Sequence, residues 1–180
     1  MEVEKTKIEG LLLFKPKAYK DERGFFIETF NVEKYKKIIG EVNFYQDNMS
    51  LSKKKVLRGI HFQTPPFAQA KLVQVIKGGG LDVAVDLRKK SPTYGMHQKF
   101  LLNDKNKHQL WIPEGFGHAF LTKEDNTILS YKCSNYYSAN NEETIVWNDP
   151  DINIDWEINN PVLSEKDNQG MTLKEMKNHF

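Results

Sequence analysis

Proton chemistry is within reach of five side chains in this sequence: His61, His118, Lys71, Tyr131 and Asp167. His61 lies in Leu57-Arg-Gly-Ile-His-Phe-Gln63, whose alternating apolar residues predict a β-strand. On an ideal strand Leu57, Gly59, His61 and Gln63 share one face, the side a β-domain usually turns to its core. A histidine and an amide placed there need partners. Lys71 follows closely in Gln69-Ala-Lys71, and the gathered His, Arg and Lys suggest a site for an anionic ligand. Histidine titrates near neutral pH and can take up a proton there. A carboxylate that fixes its tautomer and stabilises its cation improves such a base, and Asp167 is a candidate. Tyr131 is a candidate acid, and the charge of Lys71 can stabilise an oxyanion. Each residue also has a plain structural reading: a core histidine, a packed strand tyrosine, a solvated lysine.

His118 ends Trp111-Ile-Pro-Glu-Gly-Phe-Gly-His118, where Pro113, Gly115 and Gly117 predict a tight turn delivering a histidine. This turn resembles the second motif of cupin barrels, whose histidine is often a metal ligand. Metal-binding cupins carry His-x-His in their first motif. Here the matching positions read His61-Phe62-Gln63. Two histidines without a clear third ligand make a poor transition-metal site, so neither metal nor cofactor is expected. His61 and His118 are then left with acid–base or hydrogen-bonding roles.

These groups must be positioned by short strands. Leu11 to Phe14, Phe25 to Phe30 and Thr127 to Tyr137 read as strands, the last placing Leu129, Tyr131 and Cys133 on one face. Leu81, Val83, Val85 and Leu87 fall on one side of a further strand, with Asp82, Asp86 and Arg88 on the other. Gly78-Gly-Gly80 before it reads as a hairpin turn. A phosphate-cradling glycine loop needs a following helix, and a strand follows instead. One helix is predicted with Asn31 as N-cap, apolar Val32, Tyr35, Ile38 and Ile39, and Gly40 as its stop. A short helix is also possible from Thr172. Many short strands with one modest helix predict an all-β sandwich or barrel.

The chain has 180 residues and a formal net charge of +2, from 26 basic and 24 acidic residues. That length predicts a single domain, residues 1–180, with a substantial core. Near-balanced charge gives no electrostatic case for nucleic acid, and Lys53-Lys54-Lys55 reads as a solvated turn. The single cysteine, Cys133, rules out an intrachain disulfide and fits a reducing compartment. Met1-Glu-Val-Glu-Lys5 lacks the apolar core of a signal peptide, and no stretch approaches the roughly 20 apolar residues of a membrane span. A cytoplasmic protein without membrane partners is expected.

Together these segments resemble the dTDP-4-dehydrorhamnose 3,5-epimerase family. The resemblance runs through Asp21-Glu-Arg-Gly-Phe25 with Glu28, Gln46-Asp-Asn48 with Ser50, and Leu57 to Gln63. It continues in Pro66, Gln69, Lys71-Leu-Val73, Asp82 to Arg88 and Ser91-Pro-Thr93. The later part adds Leu110 to Phe116 with His118, Tyr131, Tyr137, Trp147-Asn-Asp-Pro150 and Ser164-Glu-Lys-Asp167. It implies a cupin-like jelly roll without metal, and a homodimer whose N-terminal strands cross to the partner. The implied substrate is a nucleoside diphosphate 4-keto-6-deoxy sugar, with carbons 3 and 5 acidified by the ketone. His61 would be the base, Asp167 its partner, Tyr131 the acid on the other face, and Lys71 the enolate stabiliser. Arg23, Arg58, Gln46 and Asn48 match positions that hold the nucleoside diphosphate, as an arginine fork suits phosphate. Phe25 and Glu28 would come from the crossing strand, Tyr137 would lie beside the nucleotide, and His118 would shape the site. Arg58 and His61 are on opposite faces of an ideal strand, so a bulge at Gly59 is predicted.

The family pattern is departed from at Gly115-Phe-Gly-His-Ala-Phe120, where the small residues beside His118 are exchanged, and at Gly80, where a larger residue is more usual. Three alternatives remain open on these residues. One is a 3- or 3,5-epimerase of a GDP-linked 4-keto-6-deoxy heptose. The others are a 3,4-ketoisomerase of the same fold and a non-catalytic sugar-nucleotide binding module.

Overall fold

The computed structural model describes residues 1–177 and 179–180. The chain begins with strands β1 (Glu2–Lys5), β2 (Leu12–Lys15), β3 (Ala18–Asp21) and β4 (Gly24–Ile27), followed by helix α1 (Val32–Ile39). Next come β5 (Gln46–Ser52), β6 (Leu57–Gln63), β7 (Lys71–Lys77), β8 (Gly79–Asp86) and β9 (His97–Asn103). Then follow β10 (Gln109–Ile112), β11 (Phe116–Thr122), β12 (Thr127–Cys133), β13 (Glu142–Thr144) and the short helix α2 (Glu165–Asn168). Two sheets result, one ordered β1-β2-β10-β7-β12-β5 and the other β13-β6-β11-β8-β9, while β3 and β4 form a separate hairpin. All ladders between these strands are antiparallel.

The sheets face one another across Val73, Val75, Leu110, Ile112 and Leu129 from the first and Ala84, Phe100, Phe116 and Phe120 from the second. Burying such side chains contributes about 1.5–3 kcal/mol each, less the cost of ordering them. This is the expected cupin-like jelly-roll barrel. Period-2 alternation sends Leu72 and Trp111 to the other side of the first sheet, where α1 covers them through Tyr35. Asn31 caps α1 by accepting from the Lys34 N–H, and Gly40, at φ 81°, closes it by donating to the Lys36 carbonyl. Among the described residues, no helix is long and apolar enough to cross a membrane.

Several local expectations need correction. Gly78-Gly-Gly80 is not a hairpin turn: β7 and β8 belong to different sheets, and Gly78, at φ 75°, is the corner between them. The expected alternation of β8 holds, and both of its sides are covered. Leu81, Val83, Val85 and Leu87 pack under the C-terminal segment through Ile145, Trp156 and Met176, which leaves Asp82 and Asp86 fully buried on the other side. The strand from Thr127 ends at Cys133 rather than Tyr137, and the one from Phe25 ends at Ile27. Thr172 begins a turn, not a helix, whereas α2 forms where no helix was expected. Lys53, Lys54 and Lys55 do form an exposed turn segment.

Candidate active site

β6 carries the central device. His61 pairs with His118 of β11, but Arg58 pairs with Phe120, so β6 holds one residue more than its neighbour between the two pairs. The bulge falls at Gly59, as expected. Its φ of 118° disfavours any side chain, and a Cβ there would meet the His118 carbonyl oxygen at 2.5 Å. The bulge also puts Leu57 with Ile60 and Phe62 in the cluster under the C-terminal segment, so Leu57 does not share the face of His61. Released from the ladder, the Gly59 N–H donates to Asp167 Oδ1 at 3.2 Å.

Asp167 is 3% exposed and sits in the first turn of α2. Ser164, the N-cap, accepts from the Asp167 N–H at 3.2 Å and donates its own hydroxyl to Asp167 Oδ2 at 2.6 Å. The carboxylate meets His61 Nε2 at 2.6 Å. Burial pushes the Asp167 carboxyl up, but the hydrogen bonds from His61, Ser164 and Gly59 outweigh it and hold it at about 2. An ionised carboxylate only accepts, so His61 keeps its proton on Nε2 and presents the lone pair of Nδ1.

The opposite wall comes from the first sheet. Register partners share a face, which sets Lys71, Cys133 and Gln46 in one row and Val73, Tyr131 and Asn48 in the next. His61, Lys71, Tyr131, Gln46, Asn48 and Tyr137 all line one cavity of about 280 Å³. Burial pushes the Tyr131 hydroxyl above its ordinary range, with Cys133 and Glu142 adding to the shift and Arg58 opposing it. Tyr131 thus keeps its proton at neutral pH. Burial pushes the Lys71 ammonium down, opposed by Cys133, Glu142 and Asp82. A proton acceptor, a proton donor and an amine therefore surround one space, with acceptor and donor on facing sheets.

The other expected residues divide. Arg58 is tied to Ser52 Oγ at 3.1 Å and acts on Tyr131 by its charge. His118 does not line the cavity: it bonds the buried Asp82 and sets its ring edge-on to Tyr131, with centroids 6.5 Å apart. Arg23, Phe25 and Glu28 stand apart from the cavity of their own chain. Arg23 pairs with Asp21, Lys107 lies over the Phe25 ring, and Glu28 bonds Lys34.

Sequence reasoning missed Glu142, which lines the cavity, accepts from the Tyr137 hydroxyl at 2.8 Å and pairs with Lys166. It also missed Ser164, although Ser164-Glu-Lys-Asp167 has the spacing of a capping box. A larger cleft of about 800 Å³ lies between β13 and α2, but neither His61 nor Tyr131 reaches it.

Known proteins resemble this chain in sequence and in fold. A family model described as dTDP-4-dehydrorhamnose 3,5-epimerase covers residues 5–175. The dTDP-4-dehydrorhamnose 3,5-epimerase of Shigella flexneri is 50% identical, over 94% of each chain. The enzyme of that name from Methanothermobacter thermautotrophicus is 46% identical, over 95% of this chain and 94% of its own. The crystal structure of dTDP-6-deoxy-D-glucose-3,5-epimerase from Legionella pneumophila Philadelphia 1, in complex with dTDP-4-keto-L-rhamnose, has a TM-score of 0.94. It is 42% identical, over 98% of this chain and 94% of that one. The chain belongs to the dTDP-4-dehydrorhamnose 3,5-epimerase family and is an isomerase.

Proposed function

We propose that this enzyme inverts carbons 3 and 5 of a dTDP-linked 4-keto-6-deoxy sugar. The observation that carries this reading is the placement of the His61–Asp167 pair and Tyr131 on facing sheets around one cavity. His61 Nδ1 takes the proton from the carbon beside the ketone, and the electron pair moves onto the ketone oxygen as an enolate. The Lys71 ammonium stabilises that oxygen. Tyr131 returns a proton to the opposite face, which inverts the centre; Tyr131 then regains a proton from water and His61 releases its own to water. The ligand of the Legionella relative, dTDP-4-keto-L-rhamnose, has the chemistry such a site serves.

The nucleotide end is assigned to Gln46, Asn48, Arg58 and Tyr137, with Arg23, Phe25 and Glu28 supplied by a second copy of the chain. The surface supports this assignment. The β3–β4 hairpin exposes Tyr19, Phe25 and Phe26 at 58%, 53% and 70%, and the first sheet exposes Met49 and Leu51 on its edge strand β5 at 74% and 62%. Apolar side chains on an unpaired edge suit a partner. Mixing the inactive Arg23→Ala and His61→Ala variants should restore activity, because one hybrid site then has both residues. No recovery after confirmed subunit exchange removes the shared site.

The reaction is tested by offering dTDP-4-keto-6-deoxyglucose in heavy water and locating deuterium by NMR. Label at carbons 3 and 5 is expected. Label at one carbon only makes this a single-centre epimerase. No label, with label entering a GDP-linked 4-keto-6-deoxy heptose instead, replaces the nucleotide and the sugar. Tyr131→Phe should keep exchange but lose productive inversion, and unchanged product formation would remove Tyr131 from the mechanism.

A further inference from the structure

Gln63 stands where a metal-binding cupin has its second histidine, yet its amide serves a different task. It is 5% exposed at the end of β6. Its Nε2 donates to the carbonyls of Phe67 and Tyr136 at 2.6 and 3.0 Å, and its Oε1 accepts from the Ser138 N–H at 2.7 Å. The last two groups belong to the peptide units on either side of Tyr137. The Tyr137 N–H donates to Gln46 Oε1 at 2.9 Å, so two glutamines hold the backbone of one tyrosine from both directions.

The surrounding loops are stitched in the same way. Gln69 Nε2 donates to the Asn135 carbonyl at 2.8 Å, Asn135 Nδ2 to the Pro66 carbonyl at 3.1 Å, and the Ala70 N–H to Ser134 Oγ at 2.8 Å. Gln63 is the buried side-chain amide of this set, and Phe67, on the loop between β6 and β7, is tied to the Tyr137 loop through it. Tyr137 is 56% exposed as a residue, and its hydroxyl donates to Glu142. Among the described residues its hydroxyl is held by Glu142, and the backbone anchor decides where the ring lies.

We infer that Gln63 is a positioning residue for the nucleotide end of the site, acting through Tyr137. It pre-orders the loop that carries the ring, so that binding does not have to. Gln63 also lines the cavity, but both its amide atoms are engaged by backbone groups. The role rests on the proposed dTDP-sugar substrate and assigns Gln63 no contact with it. Gln63→Met keeps the length and apolar volume of the side chain but removes all three hydrogen bonds. Gln63→Glu keeps the Ser138 bond and turns an oxygen on two carbonyls.

The test measures dTDP binding by calorimetry and steady-state turnover, in wild-type and Tyr137→Ala backgrounds. Gln63→Met should weaken dTDP binding and raise KM about tenfold, with kcat within about twofold, the scale of losing such bonds. In the Tyr137→Ala background Gln63→Met should cost nothing more, since the ring it places is gone. An equal loss in both backgrounds, or a fall in kcat with dTDP binding intact, overturns the inference. Where Gln63→Met does not fold, Gln63→Glu is held to the same pattern. A wild-type enzyme that does not bind dTDP refutes the substrate reading itself. A wild type that binds dTDP and a folded Gln63→Met that binds it equally well refute only the role of Gln63.

Discussion

Two histidine–aspartate pairs stand side by side, and the same residue types have different environments in each. His61 and His118 are register partners on adjacent strands. The His61 side chain is 27% exposed and lines the cavity, whereas that of His118 is 9% exposed and lies behind Tyr131. Asp167 gives one oxygen to His61 at 2.6 Å and is held further by Ser164 and Gly59. Asp82, fully buried, meets His118 Nε2 through both oxygens at 3.1 Å. Under the proposed mechanism, residue type therefore does not separate a base from a support. Access to the cavity and the other ties of the carboxylate do.

Breaking the exposed pair should have the largest effect. His61→Ala is expected to lower solvent-deuterium exchange about 10³-fold with the fold retained, as expected for loss of a general base. Near-normal exchange in a folded variant would mean the wrong pair has been assigned. Asp167→Asn can present its amide N–H to Nε2 and favour the wrong tautomer, so a fall in kcat of about 10²-fold is expected. Full activity in that variant would reduce Asp167 to a structural cap.

The buried pair should show the reverse balance. Asp82→Asn is expected to lower kcat by less than about tenfold, yet to destabilise the fold by about 1–3 kcal/mol in denaturant titrations, because a buried charge partner is lost. A large loss of kcat with unchanged stability would make Asp82–His118 part of the chemistry. The smallest effect is on acid stability. The Asp167 carboxyl, held at about 2, lies below its unfolded value of 3.8. Its contribution, about 2 kcal/mol, is complete above pH 4 and is lost as pH falls through about 2. Acid unfolding of Asp167→Asn should lack that slope, and an unchanged slope would assign it to other carboxyls.

Much of this site was legible because its residues carry local signals. The strand around His61 announces itself by alternation, and Gly59 between Arg58 and His61 marks the bulge, since no other residue takes φ 118° beside the His118 carbonyl without strain. Asn31 and Gly40 bracket α1 by capping chemistry alone. Elsewhere local signals misled. Three glycines at the start of β8 look like a hairpin turn, but whether a turn returns to the same sheet depends on strands far away in the chain. The alternation of β8 predicts two faces and cannot say that both are covered, because the C-terminal segment that covers one begins some 60 residues later.

The sequence by itself determined the fold class, the strand that bears His61, the helix at Asn31 and the family. Periodicity, caps and a set of ordered motifs are properties of neighbouring residues. Only the tertiary structure decided which histidine faces the cavity, that the Gly59 N–H holds Asp167, and that Gln63 anchors the loop of Tyr137. Those facts join residues about 75 to 110 positions apart. Such contacts form only when two sheets close over a common core, and no local pattern encodes their distances.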